Sequence, residues 1–151
     1  MKKRLPTIIL IFIFLTGLSL LLYPSVSDWW NSLHQTRAIA DYAQAVTELD
    51  NKEYDQLLSA AEEYNRTLAS HPNRFSPSPA DTEAYNALLD LAGTGIMGYI
   101  EIPEIKVSLP IYHGTDDAVL AIAIGHITGS SLPVGGESSH CVLSGHRGLP
   151  S

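Results

Sequence analysis

The pattern of apolar and polar positions changes character twice along this chain. Residues 7–23 form an apolar run of 17 positions without a charge. A helix rising about 1.5 Å per residue nearly crosses a hydrocarbon core of about 30 Å over that length. Residues 28–70 then carry apolar side chains mostly three or four apart. One set is Trp29, Trp30, Leu33, Ile39, Tyr42, Val46 and Leu49; a second is Tyr54, Leu57, Leu58, Ala61, Tyr64 and Leu68. That period predicts two helices with one apolar face each, packed as a hairpin or onto the residues that follow. Asp50 with Glu53 has the capping-box spacing and marks the start of the second. The aromatic side chains on these faces read as packing, not as a ligand box.

Residues 71–80 contain Pro72, Pro77 and Pro79, which break the helical pattern. A loop is expected there, with Phe75 exposed beside Arg74. It is either a linker or a flap over a nearby site. Asp81 is expected to cap a third helix through Ala84, Tyr85, Leu88 and Leu89, ended by Gly93-Thr94-Gly95. Beyond residue 95 the period falls towards two. Tyr99-Ile100-Glu101-Ile102-Pro103 and Val107-Ser108-Leu109-Pro110-Ile111-Tyr112 read as strands, with the prolines at ends or edges. A short helix through Val119, Leu120 and Ile122, closed by Gly125, and a turn-rich loop at 130–136 follow. A terminal strand then runs to His146. Three strands cannot close a barrel. The expected fold class is α+β, with the last third of the chain the first portion of a β domain.

Charge adds a direction. The formal net charge is −7 over 151 residues, and Lys2, Lys3 and Arg4 supply three of the nine basic side chains. The remainder is strongly acidic, which argues against nucleic acid as a partner. The basic tail at 1–6 is expected to stay in the cytoplasm, with 7–23 crossing the membrane and the rest outside. Tyr23, Trp29 and Trp30 would lie near the far interface. A cleaved signal peptide is the competing reading, but it normally has a shorter apolar run and a small-x-small site, whereas this run ends Leu22-Tyr23-Pro24. One cysteine excludes an internal disulfide framework and a Cys-cluster metal site.

Candidate chemistry concentrates at Ser144-Gly145-His146-Arg147-Gly148. A histidine at a strand tip has a fixed backbone and a ring free to reach solvent, which suits a proton carrier near neutral pH. A structural strand-end histidine is the alternative. Cys141 is five residues earlier. In an extended strand the two lie roughly 16 Å apart on opposite faces. Cys141 therefore reads as a small buried apolar residue and not as a nucleophile. His126, His140 and His146 lack a carboxylate at metal-ligand spacing, so neither a metal nor a cofactor is expected. Arg147 is expected to point away from His146, as a surface or substrate-proximal cation.

Several ordered motifs resemble the sortases, in particular the pilus-assembling class C sortases of Gram-positive bacteria. They are Gly98-Tyr99-Ile100-Glu101-Ile102-Pro103, Leu109-Pro110-Ile111-Tyr112, Gly125-His126, Ser131-Leu132-Pro133-Val134-Gly135-Gly136 and Ser144-Gly145-His146-Arg147-Gly148-Leu149-Pro150. Tyr23-Pro24-Ser25-Val26-Ser27 and the helices after it resemble the N-terminal region of that class. The resemblance implies an eight-stranded β-barrel. It also implies a cysteine transpeptidase that cuts a Leu-Pro-x-Thr-Gly-type sorting signal between Thr and Gly, and passes the thioacyl intermediate to a pilin lysine. His146 takes the place of the catalytic histidine. The family's nucleophilic cysteine, in a Thr-Leu-x-Thr-Cys strand, and its arginine have no counterpart in these residues. The resemblance further implies a lid at 71–80. The family's Asp-Pro-aromatic plug is absent there, and Phe75 is the residue that could stand in.

The expected organisation is a helical stalk with its lid loop at 28–95, then the N-terminal part of a sortase-type barrel at 96–151, truncated at Ser151. The expected partners are pilin subunits with sorting signals and the lipid bilayer, with no nucleic acid. A non-enzymatic, membrane-anchored remnant or docking module is the alternative.

Overall fold

The structure, a computed structural model, describes residues 4–145. His146 and Arg147 lie outside the described residues. Two compact units divide the chain within residue 34–35.

The first unit is helical. Helix α1 (Leu5–Glu48) starts here, and its N-terminal stretch is long and apolar enough to cross a membrane. Leu10, Phe12, Phe14, Leu20 and Leu21 are all exposed. The sequence pattern separates an apolar run from a later amphipathic helix, but α1 continues through Pro24. Proline removes one backbone donor and crowds the carbonyl four residues earlier, which bends or weakens a helix without always ending it.

The second unit, 35–145, is α+β. It holds the C-terminal part of α1, helix α2 (Asn51–Leu68), helix α3 (Pro79–Ala87), strand β1 (Ile96–Ile102), strand β2 (Val107–His113), the short helix α4 (Asp117–Leu120), strand β3 (Ile124–His126) and strand β4 (Leu143–Gly145). The Asp50–Glu53 capping box forms: Glu53 N donates to Asp50 Oδ1 at 2.7 Å and Asp50 N to Glu53 Oε2 at 3.0 Å. Helix α3 starts earlier than expected. Ser78 is its cap, Pro79 takes a first-turn position, and Asp81 completes the capping box from inside the helix. A proline in the first turn loses no intrahelical bond, so Pro79 opens the helix instead of preventing it.

The sheet is mixed, in the order β1-β2-β3-β4. β1 and β2 pair antiparallel through the turn Pro103–Ile105, β2 and β3 pair parallel, and β3 and β4 pair antiparallel. Pro110 lies inside β2 and not at its end, but pairing with β3 begins only at Ile111. Among the described residues the sheet is open, with β1 and β4 at its edges. β3 was not legible as a strand, because three residues with a central glycine carry no periodicity. Gly125 is there for space: a Cβ would sit 2.3 Å from the Gly114 carbonyl oxygen. The terminal strand starts later than expected, at Leu143, and residues 138–142 approach it as irregular chain.

The core joins helices to sheet through Ala61, Tyr85, Leu89, Met97, Ile111 and Leu132. Ala61 and Leu132 are fully buried. Tyr42 donates its hydroxyl to the Met97 carbonyl at 2.8 Å, tying α1 to β1. Burial, followed by the Asp90 carboxylate, raises the Tyr42 pKa.

Candidate functional site

Strand β4 is described as far as Gly145, and the sequence-predicted proton carrier His146 follows outside the described residues. What the structure shows is how the backbone up to that point is held. β4 is registered on β3 by Ile124 opposite Gly145, Gly125 opposite Ser144 and His126 opposite Leu143. The pairing continues into irregular chain: Ile127 N donates to the Val142 carbonyl at 2.9 Å, and Ser131 N donates to the His140 carbonyl at 3.0 Å. The arch at 127–131 and the segment 140–142 thus form one ribbon leading to β4.

A cavity of about 420 Å³ opens beside this ribbon. Leu68, Ile127 and Val142 give it an apolar wall, while Asn65, Arg74 and His140 add polar groups. Phe75 also lines it and is 66% exposed, with the Arg74 guanidinium 4.7 Å from its ring centroid. The loop at 71–78 is seated on the arch at Gly129. Gly129 has φ +91°, and a Cβ there would lie 2.4 Å from the Arg74 carbonyl oxygen and 2.8 Å from Phe75 Cδ1. The loop thus lies over the arch, with Phe75 at the cavity wall. Beneath the loop a second cavity of about 140 Å³ reaches Tyr64, Tyr85 and Thr128. His71 and Asp81 face each other across 4.0 Å at its rim.

Cys141 is half-buried and lies outside the strand. Burial raises its thiol pKa. A nucleophilic cysteine needs the opposite shift. Among the described residues, no three His, Cys, Asp or Glu side chains gather as metal ligands. His140 is exposed, and the ring of His126 is committed elsewhere: its Nδ1 is 2.8 Å from the Tyr85 hydroxyl and its Nε2 is 2.9 Å from the Ser131 carbonyl.

Two features escaped sequence reasoning. Asn65 donates from Nδ2 to the Leu132 carbonyl at 3.1 Å and accepts from Leu132 N at Oδ1, 2.7 Å away. One amide side chain therefore satisfies both backbone groups of a fully buried residue 67 positions later. The second is the fully buried His126, whose polar partners come from α3 and the arch. The Gly125-His126 pair was visible as a motif, but burial and partners are properties of the folded chain.

The family model that matches this sequence is that of the sortase domain, over residues 100–151. Sortase D of Bacillus subtilis (strain 168) is 46% identical over 50 residues, which is 33% of this chain and 24% of that protein. Among solved structures, sortase C1 from Streptococcus agalactiae superposes with a TM-score of 0.71 at 47% identity, covering 76% of this chain and 60% of that one. Sortase C of Clostridium perfringens, solved with a C-terminal cell wall sorting signal motif, gives a TM-score of 0.58 at 34% identity, over 75% of this chain and 53% of its own. The chain thus spans between a quarter and three fifths of the lengths of these relatives.

Proposed function

The chain belongs to the class C sortases, and from that premise we propose that it carries the proton-transfer histidine and the lid of a membrane-anchored transpeptidase acting on sorting signals. In this reading the substrate bears a Leu-Pro-x-Thr-Gly-type signal and the acceptor is a lysine amine of a pilin subunit. A cysteine thiolate attacks the threonine carbonyl, and His146 protonates the departing glycine nitrogen as the Thr–Gly bond breaks. The incoming lysine amine then gives a proton to His146 as it displaces the thiolate from the thioacyl group. The thiol is not Cys141, whose burial works against ionisation.

The observation that carries the reading is the ribbon beside the cavity. A sortase-domain sequence runs along it towards Gly145-His146-Arg147, and the loop at 71–78 lies against it. Phe75 serves as the lid's plug, with Arg74 stacked on it in place of an acidic lid residue. Residues 7–23 anchor the protein, with the cations Lys2, Lys3 and Arg4 inside and the second unit outside.

The test is pilin polymerisation in cells expressing the protein that contains this chain. His146→Ala should abolish the polymer ladder, and Cys141→Ala should leave it intact. A ladder that survives His146→Ala, or disappears with Cys141→Ala while the protein still reaches the membrane, would overturn the assignment.

A further inference from the structure

We propose that Tyr85 and His126 are positioning residues: a buried strut that holds the arch at 127–131 closed, and through it fixes the ribbon at 140–145 that precedes His146 in the chain. The proposal rests on the reading of His146 as the proton carrier. It adds two residues that never reach the substrate.

The hydrogen-bond pattern assigns the roles. The Ser131 carbonyl can only accept, so the His126 Nε2 facing it at 2.9 Å carries the ring proton. Nδ1 is then an acceptor, and the Tyr85 hydroxyl donates to it across 2.8 Å. The Tyr85 oxygen in turn accepts from Gly114 N at 3.2 Å. Helix α3, the turn after β2, strand β3 and the end of the arch thus meet at the Tyr85–His126 pair. Tyr85 is also packed between two rings, with His113 at 4.9 Å edge-on and His126 at 5.7 Å.

The arch passes this constraint on. Ser131 Oγ accepts from His140 N at 3.0 Å, and Ser130 Oγ accepts from Val142 N at 3.2 Å. Ser130 Oγ also lies 3.1 Å from His126 Nε2 and donates to the Ile127 carbonyl at 2.8 Å. Both serines are buried. The segment 140–142 that leads into β4 is therefore pinned by side chains whose own positions depend on the His126 ring. A side chain that only filled space would not need this many directed bonds. Leucine would fill the volume but take away the ring donor facing the Ser131 carbonyl and the ring acceptor of the Tyr85 hydroxyl.

The experiment uses the full chain, isotopically labelled, in detergent micelles. Amide hydrogen exchange and the ring resonances of the histidines are read by NMR for wild type, Tyr85→Phe, His126→Ala and His126→Gln. In Tyr85→Phe, exchange at His140 and Val142 should quicken about fivefold to tenfold, the loss of roughly one buried hydrogen bond. The His146 ring resonances should shift, while those of His34 and His71 stay. Amides of the β1–β2 pair, such as Ile100, should be unchanged. His126→Ala should exaggerate the pattern, and His126→Gln, which keeps a donor for the Ser131 carbonyl, should recover part of it. If His126→Ala does not fold, Tyr85→Phe and His126→Gln carry the test. An unmoved His146 ring, or equal acceleration across β1–β2, would overturn the proposal. None of these readouts needs turnover, so pilin polymerisation surviving His146→Ala would remove the transpeptidase reading while leaving the strut standing.

Discussion

Replacing Gly129 by alanine should lift the 71–78 loop off the arch. The added Cβ would sit 2.4 Å from the Arg74 carbonyl oxygen, and ordinary contact begins at 3.4 Å. The oxygen belongs to the backbone, so no rotamer change can absorb the overlap. Alanine at φ +91° adds a strain of about 1–3 kcal/mol. Two responses are open: the arch deforms, or the loop moves. The arch is pinned by Ser130, Ser131 and His126, whereas Arg74 and Phe75 are exposed, so the loop should move. Each 1.4 kcal/mol by which closure is weakened raises the open population about tenfold. Limited trypsin digestion reads that population, because Arg74 is in the loop and cleavage follows the open fraction when opening is fast. Cutting after Arg74 should quicken about tenfold or more, with cutting after Arg66 on α2 unchanged. Gly135→Ala separates sterics from strain, since Gly135 has φ +76° with nothing within 4 Å of the added Cβ. Equal rates in Gly129→Ala and wild type would refute the reasoning. So would Gly135→Ala opening Arg74 as far as Gly129→Ala does.

Three further outcomes are expected. Asn65→Ala leaves the N–H of buried Leu132 without a partner and its carbonyl with Val134 N alone, and should cost about 1–3 kcal/mol, seen as a melting point lower by several degrees; an unchanged melt would show that water replaces the amide. Burial holds the His126 pKa below the ordinary histidine value, against an opposing pull from the Ser131 carbonyl and with help from nearby His113. The unfolded chain therefore binds the extra proton first. Stability should fall as pH drops through about 6.5 towards the folded-state pKa and return above it, with a shallower dependence in His126→Gln. Urea midpoints on either side of that pH decide, and a midpoint that rises on acidification contradicts the linkage. Finally, iodoacetamide should modify Cys141 more slowly in the native chain than in denaturant, because burial raises its pKa; faster native modification would mark it as an activated thiol after all.

The sequence by itself determined everything that depends on neighbours along the chain. The charge-free run at 7–23, the helical period of α2, the Asp50–Glu53 capping box and the switch to strand period near residue 96 are local patterns. Local physics selects them before any packing. The family motifs were equally legible, because they are short, ordered strings. The limits of that reading are just as physical. Ser78 displaced Asp81 as the cap of α3 because a cap is decided by which side chain reaches the free amides, and both candidates were the right residue type. Ile124, Gly125 and His126 became a strand only because β2 and β4 lie on either side of them. Asn65 found Leu132, and Tyr85 found His126, across 67 and 41 residues. Such pairings have no period and no spacing rule. They exist because a buried polar atom must find a partner within about 3 Å, and only the closed fold decides which atoms are that near.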